Sequence, residues 1–207
     1  MSYKLILFDF DGTLANSFPY FLEVFNQSAD HHRLKPLSTA EIDVLRGYDS
    51  RQIMRYFKIP FWRTPFLVAD ARRRMAKDID QIRIFPGIDR VIRELDARRK
   101  ILGIVSSNAH ANIVRVLGQE TAAQIQYFEA GISLGGKAPK IQKLVHKTRI
   151  PLEDVLLIGD EIRDIEAARK VGVACAVVAW GYTRVDALMS CHPDLIFKQV
   201  EEILEIP

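Results

Sequence analysis

The hydrophobic positions of this chain fall into short unbroken runs, separated by segments whose apolar residues recur every three or four. Leu5 to Phe8, Ile101 to Val105, Val155 to Ile158 and Val173 to Ala179 are runs of strand length without polar interruption, as in strands covered on both faces. Tyr127 to Ile132 and Leu195 to Phe197 are weaker strand candidates. Between them, Ile88, Val91, Ile92 and Leu95 mark one face of a helix, as do Ile113, Val116 and Leu117. Ile141, Leu144, Val145 and Thr148 mark another, stopped by Pro151, and Ile162, Ile165 and Ala168 a further one, which Gly172 suits as a left-handed cap. Strands alternating with helices predict an α/β fold, a right-handed, doubly wound parallel sheet in three layers.

The segment 17–84 breaks this alternation. It shows helical spacing only, at Phe18, Phe21, Leu22 and Phe25, then Ile53, Met54 and Phe57, then Leu67, Ala71 and Met75. Lys35-Pro36, Gly47, Pro60 and Pro65 interrupt it, and Ser17 with Pro19 is the expected start of its first helix. The expected organisation is a Rossmann-like core of residues 1–16 and 85–207 with an inserted all-α cap of residues 17–84.

The chemistry sits where the first run stops. Leu5 to Phe8 leads into Asp9-Phe10-Asp11-Gly12-Thr13, and alternation along a strand sends Asp9 and Asp11 one way and Phe10 into the core. Two carboxylates held side by side at a buried strand end repel, and need a cation or a shared proton to coexist. A calcium loop opening at Asp9 would want Gly and Glu at its sixth and twelfth positions, where the chain has Leu14 and Tyr20. A catalytic magnesium site is the better reading. Asp9, Asp11, Ser106 and Asp160 all fall at or just beyond predicted strand ends, where ligands gather in such sheets.

Composition narrows the function classes. At 207 residues with 48% apolar content the chain suits one large domain, or a core with a smaller insert. A net charge of +3 fits a small anionic substrate and lacks the concentrated basic footprint of a nucleic-acid binder. Cys175 and Cys191 lack zinc spacing, the first apolar run is cut short by Asp9 and does not fit a signal peptide, and no run reaches membrane-spanning length. These readings lead to an expectation of a cytoplasmic protein with a small phosphorylated metabolite as partner, and neither nucleic acid nor membrane.

The string DFDGTLANS, Asp9 to Ser17, closely resembles the first motif of the haloacid-dehalogenase-like phosphohydrolases, in particular their phosphoglycolate-phosphatase-like branch. The resemblance implies Asp9 as nucleophile, Asp11 as acid–base, Ser106 and the Ser107 amide as phosphate donors, and Mg2+ held by Asp9, the Asp11 carbonyl and Asp160. Glu161 and Asp164 are supports of that site or ordinary residues of a helix N-terminus. The family's lysine is commonly followed directly by proline, whereas this chain reads Gly135-Gly136-Lys137-Ala138-Pro139-Lys140; Lys137 is favoured and Lys140 is the alternative. Gly131 to Ala138 also nearly fits a nucleotide-binding loop, but Ala138 offers no hydroxyl to magnesium. Arg46 and Arg51, beside Gly47, are the expected cap residues to reach a substrate, and Arg72-Arg73-Arg74 reads as a solvated helix face, with a substrate clamp as the alternative. The implied activity is a phosphatase acting on a small phosphomonoester such as phosphoglycolate. A phosphosugar mutase or nucleotidase of the same family is the alternative, and a non-catalytic binding protein is the alternative of another class.

Overall fold

The computed structural model describes residues 2–133 and 135–206. Strand β1 (Leu5–Phe8) is followed by helices α1 (Phe18–Ser28), α2 (Thr39–Leu45), α3 (Ser50–Tyr56) and α4 (Thr64–Lys77). Alternation then begins: α5 (Ile88–Ala97), β2 (Ile101–Val105), α6 (His110–Leu117), α7 (Gln119–Ala123), β3 (Tyr127–Glu129) and α8 (Ala138–Thr148). It ends with β4 (Val155–Gly159), α9 (Ile162–Val171), β5 (Ala174–Val178), α10 (Val185–Ser190) and β6 (Leu195–Phe197).

The strands form one sheet in the order β3-β2-β1-β4-β5-β6, with every pairing parallel. β1 lies centrally, Leu5 to Phe8 registering with Ile101 to Ile104 on one side and Val155 to Ile158 on the other. Alternation in β1 divides the core into its two faces. Ile6, Phe8 and Phe10 pack with Val91, Ile92, Leu95 and Ile113 of α5 and α6, while Leu5 and Leu7 pack with Ile141, Leu144 and Ile165 of α8 and α9. All of β1 is fully buried, so each side chain contributes roughly 1.5–3 kcal/mol of apolar burial. The doubly wound, Rossmann-like sheet is therefore as the sequence pattern predicts. Chain order reverses between β2-β1 and β4-β5, so a crevice opens at the carboxyl ends of β1 and β4.

Some elements differ from expectation. β3 stops at Glu129, because the Gly131 amide donates to the Asn108 carbonyl at 2.7 Å with φ at +85°, turning the chain out of the ladder. β5 is shorter than Val173 to Ala179 by one residue at each end. Ser17 precedes α1 but its side chain does not cap it; its Oγ lies 3.0 Å from the Tyr182 hydroxyl. The apolar pattern also does not foretell α2, α7 or α10, which are short and bury few residues.

Between β1 and α5 the chain leaves and re-enters the sheet layer along two adjacent segments. Ala15 bridges to Ile84, the Asn16 amide donates to the Arg83 carbonyl at 2.8 Å, and that of Phe85 to the Leu14 carbonyl at 2.9 Å. Helices α1 to α4 are thus carried on a paired stem beside the end of β1.

Candidate active site

The backbone after β1 is shaped by one carbonyl. The Phe10 oxygen accepts from the amides of Thr13, Leu14 and Ala15, closing a tight loop that leaves Phe10 fully buried. Asp9 continues the ladder by donating its amide to the Ile158 carbonyl at 2.8 Å, which fixes its side chain at the mouth of the crevice. Its Oδ1 accepts from the Phe10 amide at 2.7 Å and its Oδ2 lies 2.5 Å from Lys137 Nζ. Lys137 also pairs with Asp164, so one ammonium joins β1 to α9. Asp164 Oδ2 accepts from the amides of Asp160 and Glu161 at 3.2 and 3.1 Å, so both its oxygens are committed.

Asp160, just beyond β4, is fully buried. It accepts from the Thr13 hydroxyl at 2.9 Å and from the Tyr182 amide at 2.8 Å, and no cation pairs with it among the described residues. Asp11 accepts from Asn108 Nδ2 at 3.1 Å, and Asn108 is in turn held by Asn112, whose Nδ2 donates to Asn108 Oδ1 at 3.0 Å. Ser106 is buried, and its Oγ accepts from the Asn108 amide at 3.1 Å. Ser107 borders the cavity above Asp11. Lys140 points away from the carboxylates, donating to the carbonyls of Ser106 and Gly131, where it ties β2's end to the loop after β3. That loop, the near-match to a nucleotide-binding loop, passes through Leu134, which lies outside the described residues; its lysine amine is engaged with Asp9 and Asp164.

Three buried carboxylates, Asp9, Asp160 and Asp164, offer oxygens within 4.8 Å of one another. Burial pushes the Asp9 carboxyl above its ordinary range against the pull of Lys137, and burial pushes Asp160 well above, aided by Glu161 and Asp9. Burial and the charge of Asp9 raise Asp11. Burial acts to lower Lys137, but Asp164 and Asp9 outweigh it and hold the ammonium above its usual range. A single ammonium against these carboxylates leaves negative charge uncompensated, and an all-oxygen donor set suits a hard divalent cation. All three carboxylates accept on both oxygens, but Asp9 and Asp164 share Lys137 whereas Asp160 has no cation beside it among the described residues.

Close approach of backbone makes this packing possible. A Cβ on Gly12, whose φ is +78°, would lie 2.2 Å from Asp160 Oδ2, and one on Gly181 would lie 2.2 Å from the Asp160 Cβ. Gly181→Ala is therefore expected to displace Asp160, lowering thermal stability by about 1–3 kcal/mol and weakening divalent-cation binding. A variant with wild-type melting and wild-type metal titration would remove this packing constraint.

The expected cap readers are placed differently. Arg46 terminates α2, and its guanidinium donates to the carbonyls of Tyr182 at 3.0 Å and Gly181 at 2.9 Å, so it tethers the helical segment to the core. Arg51 is the second residue of α3 and lines an outer groove with Arg55 and Lys58. In the arginine run, Arg73 is exposed and Arg74 pairs with Asp70 at 2.8 Å, but Arg72 turns inward over Ser107 and Asn108. Sequence reasoning also missed Thr13, Asn108 and Tyr182, all of which act on the key carboxylates from chain-distant positions.

The family model of haloacid dehalogenase-like hydrolases matches residues 6–178. A phosphoglycolate phosphatase from Synechococcus elongatus is 30% identical over 203 residues, 98% of this chain and 96% of that protein. The pyrophosphatase PpaX of Oceanobacillus iheyensis is 24% identical, over 100% of this chain and 97% of its own. A haloacid dehalogenase-like family protein from Streptococcus pneumoniae has the same fold, with a TM-score of 0.81 at 21% identity over 98% and 97% of the two chains. The chain belongs to the haloacid dehalogenase-like hydrolase family, on its phosphatase side.

Proposed function

We propose that this hydrolase is a magnesium-dependent phosphatase that cleaves a small phosphomonoester, phosphoglycolate first among them, through an aspartyl-phosphate on Asp9. The observation that carries the reading is the Lys137 bridge between Asp9 and Asp164 beside the uncompensated Asp160. Lys137 keeps Asp9 ionised and aimed, and would offset the charge of an incoming phosphoryl group. One Asp9 oxygen attacks phosphorus as the bond to the leaving oxygen breaks. Asp11, whose raised pKa favours the acid form, gives its proton to that oxygen. Asp11 then takes a proton from water, whose oxygen attacks phosphorus, returning Asp9 as a carboxylate and releasing phosphate. Ser106 and the Ser107 amide would hold the phosphoryl oxygens. Asp9, Asp160 and the Asp11 carbonyl would hold magnesium, which would supply further charge stabilisation when bound.

In this reading residues 17–84 form a cap over the core of residues 1–16 and 85–207, which limits the substrate to a small soluble metabolite and excludes nucleic acid and membrane surfaces. The same reading has the protein in the cytoplasm; among the described residues no helix is long and apolar enough to cross a membrane, and the two cysteines are free. Activity against phosphoglycolate, ethyl phosphate, pyrophosphate and a phosphopeptide tests the substrate class. Efficient turnover of the phosphopeptide would defeat the capped-site reading.

Metal binding is testable without turnover. The carboxyls of Asp9 and Asp160 have native pKa values raised above those of the unfolded chain. Such groups favour the native state below the unfolded carboxylate range, near pH 4, and this contribution is lost as pH rises through their native values. Metal-free protein should therefore lose stability from about pH 4 towards neutrality, and Mg2+ should raise its melting temperature more at pH 8 than at pH 5. Asp160→Asn should stabilise the metal-free form at pH 8 and abolish the Mg2+ response. A response that Asp160→Asn leaves intact would contradict the assigned ligands.

A further inference from the structure

Helix α4 carries the one buried guanidinium nitrogen among the described residues that has no hydrogen-bond partner, Arg72 Nη1. An unpaired buried donor of a charged group is costly, and a native fold retains one where something else completes it. Its surroundings indicate what. Arg72 borders a cavity of about 190 Å³ together with Asp11, Ser107, Asn108 and Arg163. It also borders the neighbouring space lined by Lys137 and Lys140, so it stands between the acid–base carboxylate and the phosphate lysine.

The charges around Arg72 leave it without a carboxylate of its own. Arg163 has Glu161 as partner, and Asp11 accepts from Asn108. Burial and the like charge of Arg163 pull Arg72 below its usual range, with only Asp11 acting the other way. Two guanidinium groups bordering one small cavity, with one nitrogen unspent, form a receptor for an anion with planar, paired oxygens.

We infer that Arg72 is the residue that reads the leaving group, and that the preferred substrate is a short-chain phosphocarboxylate whose carboxylate meets Arg72 while its phosphoryl group sits at Asp9. The inference rests on the phosphatase reading of the site, in which phosphoglycolate already comes first, and assigns the residue that sets that preference. The cavity's size sets the chain length: about 190 Å³ lies below the usual range of small-molecule pockets, so the carboxylate must lie within a few bonds of the ester oxygen. Arg46 does not line this cavity, and its Nε and Nη2 are held by the carbonyls of Tyr182 and Gly181.

The test is a substrate pair differing only in the second anion. Steady-state kcat and KM for phosphoglycolate and for ethyl phosphate are compared in wild type, Arg72→Met and Arg72→Lys, with melting curves of all three. Wild type should prefer phosphoglycolate. Arg72→Met should raise its KM on the order of 10- to 100-fold, leaving kcat and all ethyl phosphate constants within about threefold. Arg72→Lys should recover part of the loss, since it keeps the charge but not the fork. A purely structural role would move both substrates together, and that result, or an unchanged KM for phosphoglycolate, overturns the inference. Should Arg72→Met melt below the assay temperature, Arg72→Lys decides on the same criterion. Wild-type turnover of ethyl phosphate without preference for phosphoglycolate overturns the role of Arg72 and leaves the phosphatase standing; turnover of neither overturns both.

Discussion

Asp9→Asn is expected to lower phosphomonoester turnover on the order of 10⁴-fold or more, because an amide nitrogen or oxygen is a poor nucleophile for phosphorus. The fold should survive the change. Asp9 is buried and its burial raises its pKa, so a neutral amide of the same shape removes a desolvation cost as well as the ion pair with Lys137. Wild-type melting with lost activity is the expected combination, read from a thermal scan beside a phosphate-release assay. Asp11→Asn should also lose steady-state turnover, for a different reason. Asp9 remains able to attack, but no carboxylate is left to protonate the leaving oxygen or to deprotonate water. Reactive esters with good leaving groups should therefore still give a burst in Asp11→Asn and none in Asp9→Asn. Equal bursts in the two variants would dissolve the division of labour between these carboxylates.

Lys137→Ala is the second large effect. It removes the only ammonium that touches Asp9 and Asp164 among the described residues, in a place where both partners are buried. Breaking a buried pair from one side leaves uncompensated charge, so metal-free Lys137→Ala should lose about 3–5 kcal/mol of stability at neutral pH. Turnover should fall by about 10²- to 10³-fold, the usual cost of one donor aimed at developing charge. Lys140→Ala differs because its amine touches only backbone carbonyls. It should loosen the connection between Ser106 and Gly131 and change turnover by only a few-fold. Denaturant melts and kcat measured in parallel check both; the reverse ranking of the two lysines would place the phosphate lysine at Lys140.

Much of this arrangement is legible before any coordinates. The short uninterrupted apolar runs of β1 and β4 read by their length as strands covered on both faces, and each delivers an aspartate at its end, Asp9 and Asp160. The helical segment is readable as helical, yet its starts are clearer than its apolar spacing suggests. Ser38 with Glu41, and Asp49 with Gln52, form capping boxes at the starts of α2 and α3, a signal present in the residues themselves. The direction of Arg72 is different in kind. A triplet of arginines on an amphipathic helix looks solvated from any local window. Only the packing of α4 against α1, with the core loops of Ser107 and Asn108 below, determines which of the three turns inward. Arg46 shows the converse: a loop arginine next to glycine looks free, but the carbonyls of Gly181 and Tyr182, far along the chain, take two of its nitrogens. Thr13 likewise reaches Asp160 only once β1 and β4 are paired, and Tyr182 only once β4 and β5 are.

The central claim is that Asp9 becomes covalently phosphorylated, and its most direct measurement is mass spectrometry of the peptide containing Asp9. Asp11→Asn is mixed with a reactive phosphomonoester and Mg2+, quenched in acid within the first turnover, and digested. The account predicts one phosphoryl group on Asp9, absent in chelator and absent when Asp9 is also changed to Asn. Phosphate release by the wild-type enzyme, with no phosphoryl group on Asp9 at any quench time in wild type or Asp11→Asn, would contradict it.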